Sequence, residues 1–159
     1  MKTLKTWLLL FVIASFAIGS LEASAQPAMR KRAHHAIRRT AIVIQAAYKN
    51  VKEGKVYTGD LARSIAHQHY ARVLFRNGFY PRAIHHTRRA RMLALIAIKA
   101  NKGVEISEGT LTPEEEELLK NSPSDEELEK ELLKEMPKEK MKDEDVIGTV
   151  PDVELRDKE

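Results

Sequence analysis

The side chains within reach of metal or acid–base chemistry are six histidines, and they come as three close pairs: His34-His35, His67 with His69, and His85-His86. Neutral imidazoles are ligands for zinc, copper and nickel, and three helices carrying one pair each could bring an imidazole apiece to a common point. Two ligands on a single helix need i, i+3 or i, i+4 spacing. Adjacent residues instead project about 100° apart, and His67 and His69 about 160° apart. Projection places His35 and His85 on outer faces and His34, His67, His69 and His86 on the shoulders of the apolar sectors. A metal set would therefore be drawn from those four, holding Zn, Cu or Ni. The alternative is that they are boundary histidines with a polar tip toward water. No cysteine is present, which removes disulfides, thiolate-held metals and thiol nucleophiles. The body carries only Glu53 and Asp60 as acids, both in a loop where they cap or solvate, so no hydrolytic set forms there. No catalytic residue and no cofactor are expected.

Arginines are the second group with chemistry to offer. Arg72 and Arg76 stand one turn apart on one predicted helix, and Arg88 and Arg91 share a stripe on the next. Arg38 and Arg39 lie on the outer face of the first helix. Guanidinium groups bind carboxylate or phosphate through two parallel hydrogen bonds, so Arg72, Arg76, Arg88 and Arg91 are the expected binding contacts. From Gln26 to Gly103 there are 17 Lys and Arg against two acids, a net +15. From Val104 to Glu159 there are 20 Asp and Glu against eight Lys and Arg, a net −12. The expected partners are the protein's own acidic tail, another envelope protein or anionic lipid. Nucleic acid ranks last because the chain is expected to be exported.

That expectation rests on the first 25 residues. Lys2 and Lys5 precede an apolar run from Trp7 to Ile18 that only Ser15 interrupts, and Ala23-Ser24-Ala25 follows with small residues, which is the order of a secretory signal peptide. The run is too short for a spanning helix of roughly 20 residues, so cleavage after Ala25 is expected, leaving a periplasmic or secreted chain with no transmembrane segment.

The mature chain reads as all-α. Ala33, Ile37, Thr40, Ile44, Ala47, Tyr48 and Val51 share one face of a helix predicted from about Met29 to Lys52. Thr58-Gly59-Asp60 supplies a turn and an N-cap for a second helix, from about Leu61 to Asn77. Pro81 opens a third, reaching about Asn101. In the tail, Thr112-Pro113-Glu114-Glu115 and Ser124-Asp125-Glu126-Glu127 are capping boxes for two short helices. Leu128, Leu132 and Met136 form a stripe on the second of these. The end of the tail has too little apolar content to fold alone and is expected to be mobile.

From Ser64 to Ile98 the chain resembles a single tetratricopeptide repeat. Ala71 takes the small position of the first helix, Gly78 and Tyr80 the turn and the start of the second helix, and Ala83 and Ala90 its small packing positions. The departures are His67, Leu74, Thr87 and Leu95, which stand where the family has Trp, Tyr, Phe and Pro. The resemblance implies an interaction surface and carries over no catalytic residue; neighbouring elements must cover the face one repeat leaves open. The reading as a whole is a small bundle of three helices including one repeat-like antiparallel hairpin, followed by a short-helical acidic tail. Residues 26–103 form the basic body and 104–159 the tail, and the role is binding, in a non-enzymatic protein.

Overall fold

The computed structural model describes residues 3–104 and 106–155, with side chains from Gln26 onward. It is an all-α bundle. Helix α1 spans Thr3–Gly54, α2 Asp60–Arg76 and α3 Tyr80–Ala100; a 3-10 turn at Ser107–Gly109 follows, then α4 Pro113–Leu119, α5 Asp125–Glu135 and α6 Asp143–Val146. The first helix begins well before the expected Met29 and runs through Pro27 without a break. The expected leader lies largely on this helix, but its side chains fall outside the described residues. Among the described residues no helix is long and apolar enough to cross a membrane.

Helices α1, α2 and α3 pack as two apolar clusters. One gathers Val43, Ile44, Ala47 and Val51 of α1 with Leu61, Ala62 and Ile65 of α2 and Ala90, Ala94, Ala97 and Ile98 of α3. The other gathers Ala33 and Ile37 with Ala66, Tyr70, Ala71, Leu74, Phe75, Ala83 and Ile84. The alanines at the contact explain how three helices approach closely with few large side chains between them. The α2–α3 turn closes as foreseen: Gly78 takes the left-handed conformation (φ 82°). The Phe79 amide then donates to the Leu74 carbonyl at 2.9 Å, capping the end of α2.

Both capping boxes of the tail are present. The Glu115 amide donates to the Thr112 hydroxyl and the Glu127 amide to the Ser124 hydroxyl, and each glutamate reaches back to its cap residue's amide. What the sequence does not anticipate is how far the tail enters the body. Leu128 and Leu132 of α5 are fully buried, as is Val153; Val146 and Leu155 are nearly so. The end of the tail, expected to be mobile, is thus packed as far as Leu155. A stretch with too little apolar surface to fold alone needs only a few such side chains when a preformed core is there to receive them.

The N-cap of α2 falls within Thr58-Gly59-Asp60, as expected. Gly59 is the N-cap residue and supplies no side chain. The carboxylate comes from the tail: Asp143, fully buried, accepts the amides of Thr58, Gly59 and Ala62 at 2.9, 2.8 and 2.9 Å.

Candidate functional site

The strongest concentration of chemistry lies where α5 covers the α2–α3 hairpin. His67 on α2 and His86 on α3 are both fully buried, with their Nδ1 atoms 3.0 Å apart. Each outer nitrogen meets a glutamate of α5: His67 Nε2 lies 3.1 Å from Glu129 Oε2, and His86 Nε2 lies 3.4 Å from Glu131 Oε2. The second contact is not aligned as a hydrogen bond, and His86 Nε2 has no hydrogen-bond partner. Glu131 is occupied elsewhere, accepting from the Tyr70 hydroxyl at 2.9 Å and from Arg82 Nε at 2.7 Å. The Tyr70 ring stands edge-on to His86, with centroids 4.6 Å apart.

Burial sets the charge state of this group. Loss of water pushes His67 down to about 3, with the cations Arg89 and Arg63 adding to the effect. His86 falls to about 4, again chiefly through burial. Burial works the other way on Glu131, yet hydrogen bonds from Arg82 and Tyr70 hold its carboxyl down to about 2. At neutral pH the cluster is therefore two uncharged imidazoles between two carboxylates.

The four shoulder histidines are not gathered into one metal set. His69 faces Glu139 at 3.2 Å and the Asp152 carbonyl at 3.1 Å. His34 packs its ring against Phe75 with centroids 6.0 Å apart. Among the described residues no group of three or more His, Asp or Glu side chains is arranged to hold a metal. The helical geometry is the reason: each pair splits across its own helix, so only one imidazole each from α2 and α3 reaches the shared interface.

The arginines divide as well. Arg91 is 1% exposed, donating to Glu115 at 2.9 and 2.6 Å and to the Thr40 hydroxyl at 3.0 Å. Burial pushes Glu115 up, but hydrogen bonds from Arg91 and the Thr112 amide outweigh it and the carboxyl stays below its ordinary value. Arg72 is buried and donates to the Asp152 carbonyl. Of the four expected binding contacts, Arg72 and Arg91 meet the acidic tail and are enclosed by it. Arg76 is exposed and Arg88 half-buried.

Arg91 also ends a polar chain at the boundary of the two apolar clusters. Thr40 donates to the Thr87 carbonyl, Thr87 donates to Gln68 Oε1 at 2.6 Å, and Gln68 donates to the carbonyls of Ile37 and Val153. Every buried polar group in that chain is answered by another, which is the condition for tolerating them in a core.

Glu129 and Glu131 were not singled out by sequence reasoning. The signal was present in the Leu128 and Leu132 stripe. A helix that buries positions 128 and 132 places 129 and 131 at the two edges of the buried face, against the body. A separate groove of about 680 Å³ is lined by His34, His35, Arg38, Arg39, Ile42, Glu154 and Leu155. Comparison of the chain with protein-family models, curated proteins and solved structures found no match.

Proposed function

We propose that this is an exported, non-enzymatic interaction protein, cleaved after Ala25, whose acidic tail is the built-in partner of its basic body and whose outward contacts are with an anionic partner. One observation carries the reading: body arginines meet tail acids along the length of the tail. Arg91 pairs with Glu115 at 2.6 Å, Arg89 with Asp125 at 2.7 Å, Arg82 with Glu131, and Arg72 with Asp152 at 3.6 Å. Within this reading the α2–α3 hairpin is repeat-like, and the tail covers the face that a single repeat leaves open.

A non-enzymatic role is supported by closure of the histidine pair, whose side chains are fully shielded from solvent and so from any substrate while the tail is docked. The surface left for an outside partner is on α1. Between Gln26 and Lys52 this helix has no acidic residue, and Arg30, Lys31, Arg32, His35 and Arg38 are exposed. The outward contact face of the binding role is accordingly placed on this stretch, with anionic lipid as the partner class that its uncompensated positive charge fits.

The test is co-sedimentation of the mature chain with phosphatidylglycerol vesicles and with neutral phosphatidylcholine vesicles at low salt. Binding to the anionic vesicles alone, lost in the triple variant Lys31→Glu, Arg32→Glu, Arg38→Glu, is the expected result. Equal binding by the variant, or none by the parent chain, sets the α1 face aside.

A further inference from the structure

We infer that the His67–His86 pair is a proton-operated latch, which fastens α5 onto the α2–α3 hairpin while neutral and releases it when both imidazoles are protonated. The inference rests on the reading of the tail as a cover and adds the signal that would lift it.

Counting hydrogens gives the mechanism. The line Glu129, His67, His86, Glu131 contains three gaps, of 3.1, 3.0 and 3.4 Å. Two neutral imidazoles bring one N–H each, so only two gaps can be filled. A carboxylate accepts and does not donate, which a hydrogen on His67 Nε2 toward Glu129 or on His86 Nε2 toward Glu131 would equally satisfy; the shorter gap, 3.1 against 3.4 Å, assigns it to His67 Nε2. Its Nδ1 is then a lone pair that accepts from His86 Nδ1–H. His86 Nε2 is left bare, and this is the nitrogen that lacks a hydrogen-bond partner and stands farthest from its carboxylate. The geometry is that of the two-hydrogen state.

A first added proton enters at His86 Nε2 and fills the third gap, toward Glu131. A second must go to His67 Nδ1, which already faces the His86 Nδ1–H at 3.0 Å. Two N–H groups would then point at each other from two like-charged, buried rings, and the pair must part. The charged neighbours are Arg63 on α2, Arg82 and Arg89 on α3, and Asp125, Glu129 and Glu131 on α5, with the Tyr70 hydroxyl hydrogen-bonded to Glu131. The cations on α2 and α3 oppose protonation in place. The added charges also attract Glu129 and Glu131 of α5, which works against release; α5 covers both outer nitrogens, so only its lifting lets water reach the two rings and relieves the repulsion between them. Opening also separates Arg82 and Arg89 from Glu131 and Asp125, their partners on α5. Burial keeps both rings uncharged in the closed state well below the ordinary imidazole range.

The experiment uses the mature chain labelled with nitrogen-15. Imidazole spectra at pH 7.5 are expected to show His67 as the Nε2–H tautomer and His86 as the Nδ1–H tautomer. Hydrogen exchange of the α5 amides, corrected for intrinsic chemistry, is expected to show an opening constant roughly 100-fold larger at pH 5.5 than at pH 7.5, because the open state binds two protons that the closed state does not. His69→Asn should keep that pH dependence, and the pair His67→Gln, His86→Gln should abolish it. His86 found as the Nε2–H tautomer, or an α5 opening constant that does not change with pH, overturns the latch. Should the double variant not fold, the two measurements on the parent chain still decide. A failure of vesicle binding alone leaves this result untouched.

Discussion

Asp143 lies 81 residues after Ala62 in the chain, yet its Oδ1 accepts the Ala62 backbone amide at 2.9 Å, inside the first turn of α2. The other oxygen takes the amides of Thr58 and Gly59. Three donors that a local side chain would ordinarily satisfy are answered by one buried carboxylate from the tail, at the helix end where the dipole favours negative charge.

Asp143→Ala should therefore cost about 2–3 kcal/mol, more than the usual loss of a cap, because it strands amides in a site closed to water. Urea denaturation of the two proteins measures it. A change within about 0.5 kcal/mol would mean that the loop finds other acceptors and that α2 does not depend on the tail.

The Arg91–Glu115 pair makes a different prediction. Removing one member leaves the other buried without a counter-charge, so Arg91→Met should cost about 3–5 kcal/mol, while Arg91→Met with Glu115→Gln, which keeps an acceptor for the Thr112 amide, should recover part of the loss. A double-mutant cycle by chemical denaturation gives the coupling. Additive losses would show that the two groups are held independently.

Leu132 tests whether the tail is structural. Its side chain is fully buried in the apolar cluster that α2 and α3 form with the tail, so Leu132→Ala should lower stability by about 2–5 kcal/mol, whereas Leu133→Ala, at a position 50% exposed, should change it little. Equal effects of the two substitutions in thermal melts would contradict the docking of α5.

Global stability should fall in acid over a defined window. The ordinary imidazole value is 6.5, against about 3 for His67 and about 4 for His86 in the folded chain, so below 6.5 the unfolded state binds protons that the folded state refuses. Stability is complete above pH 6.5 and declines toward pH 4, each histidine contributing a slope of up to about 1.4 kcal/mol per pH unit. Glu131, ordinarily near 4.5 and held at about 2, extends the loss at lower pH, since its unfolded form takes up a proton first. Denaturation midpoints between pH 7.5 and pH 4.5 check the sign; a flat profile, or a gain in acid, would refute it.

Much of this molecule was legible because its signals are local. The ends of α2 and α3 follow from Gly78, Pro81 and the apolar spacing around them, and both tail helices from Thr112 and Ser124 with a glutamate three residues on; these features act within one or two turns of backbone and need no partner. The all-α character follows from the same periodicities. The His34, His67, His69 and His86 set could not be resolved this way, since projection on separate helices says which face a residue takes and not which neighbour it meets.

From the residues alone came the three body helices, the two capped helices of the tail at Thr112 and Ser124, and the division into a cationic body and an anionic tail. Only the folded arrangement decided that Arg91 would be enclosed, that Asp143 would cap a helix far from it in the chain, and that Glu129 and Glu131 would bracket two buried imidazoles. Those contacts join residues 19 to 85 positions apart. Their existence depends on apolar burial bringing the tail onto the body, after which desolvation makes each polar group's choice of partner specific.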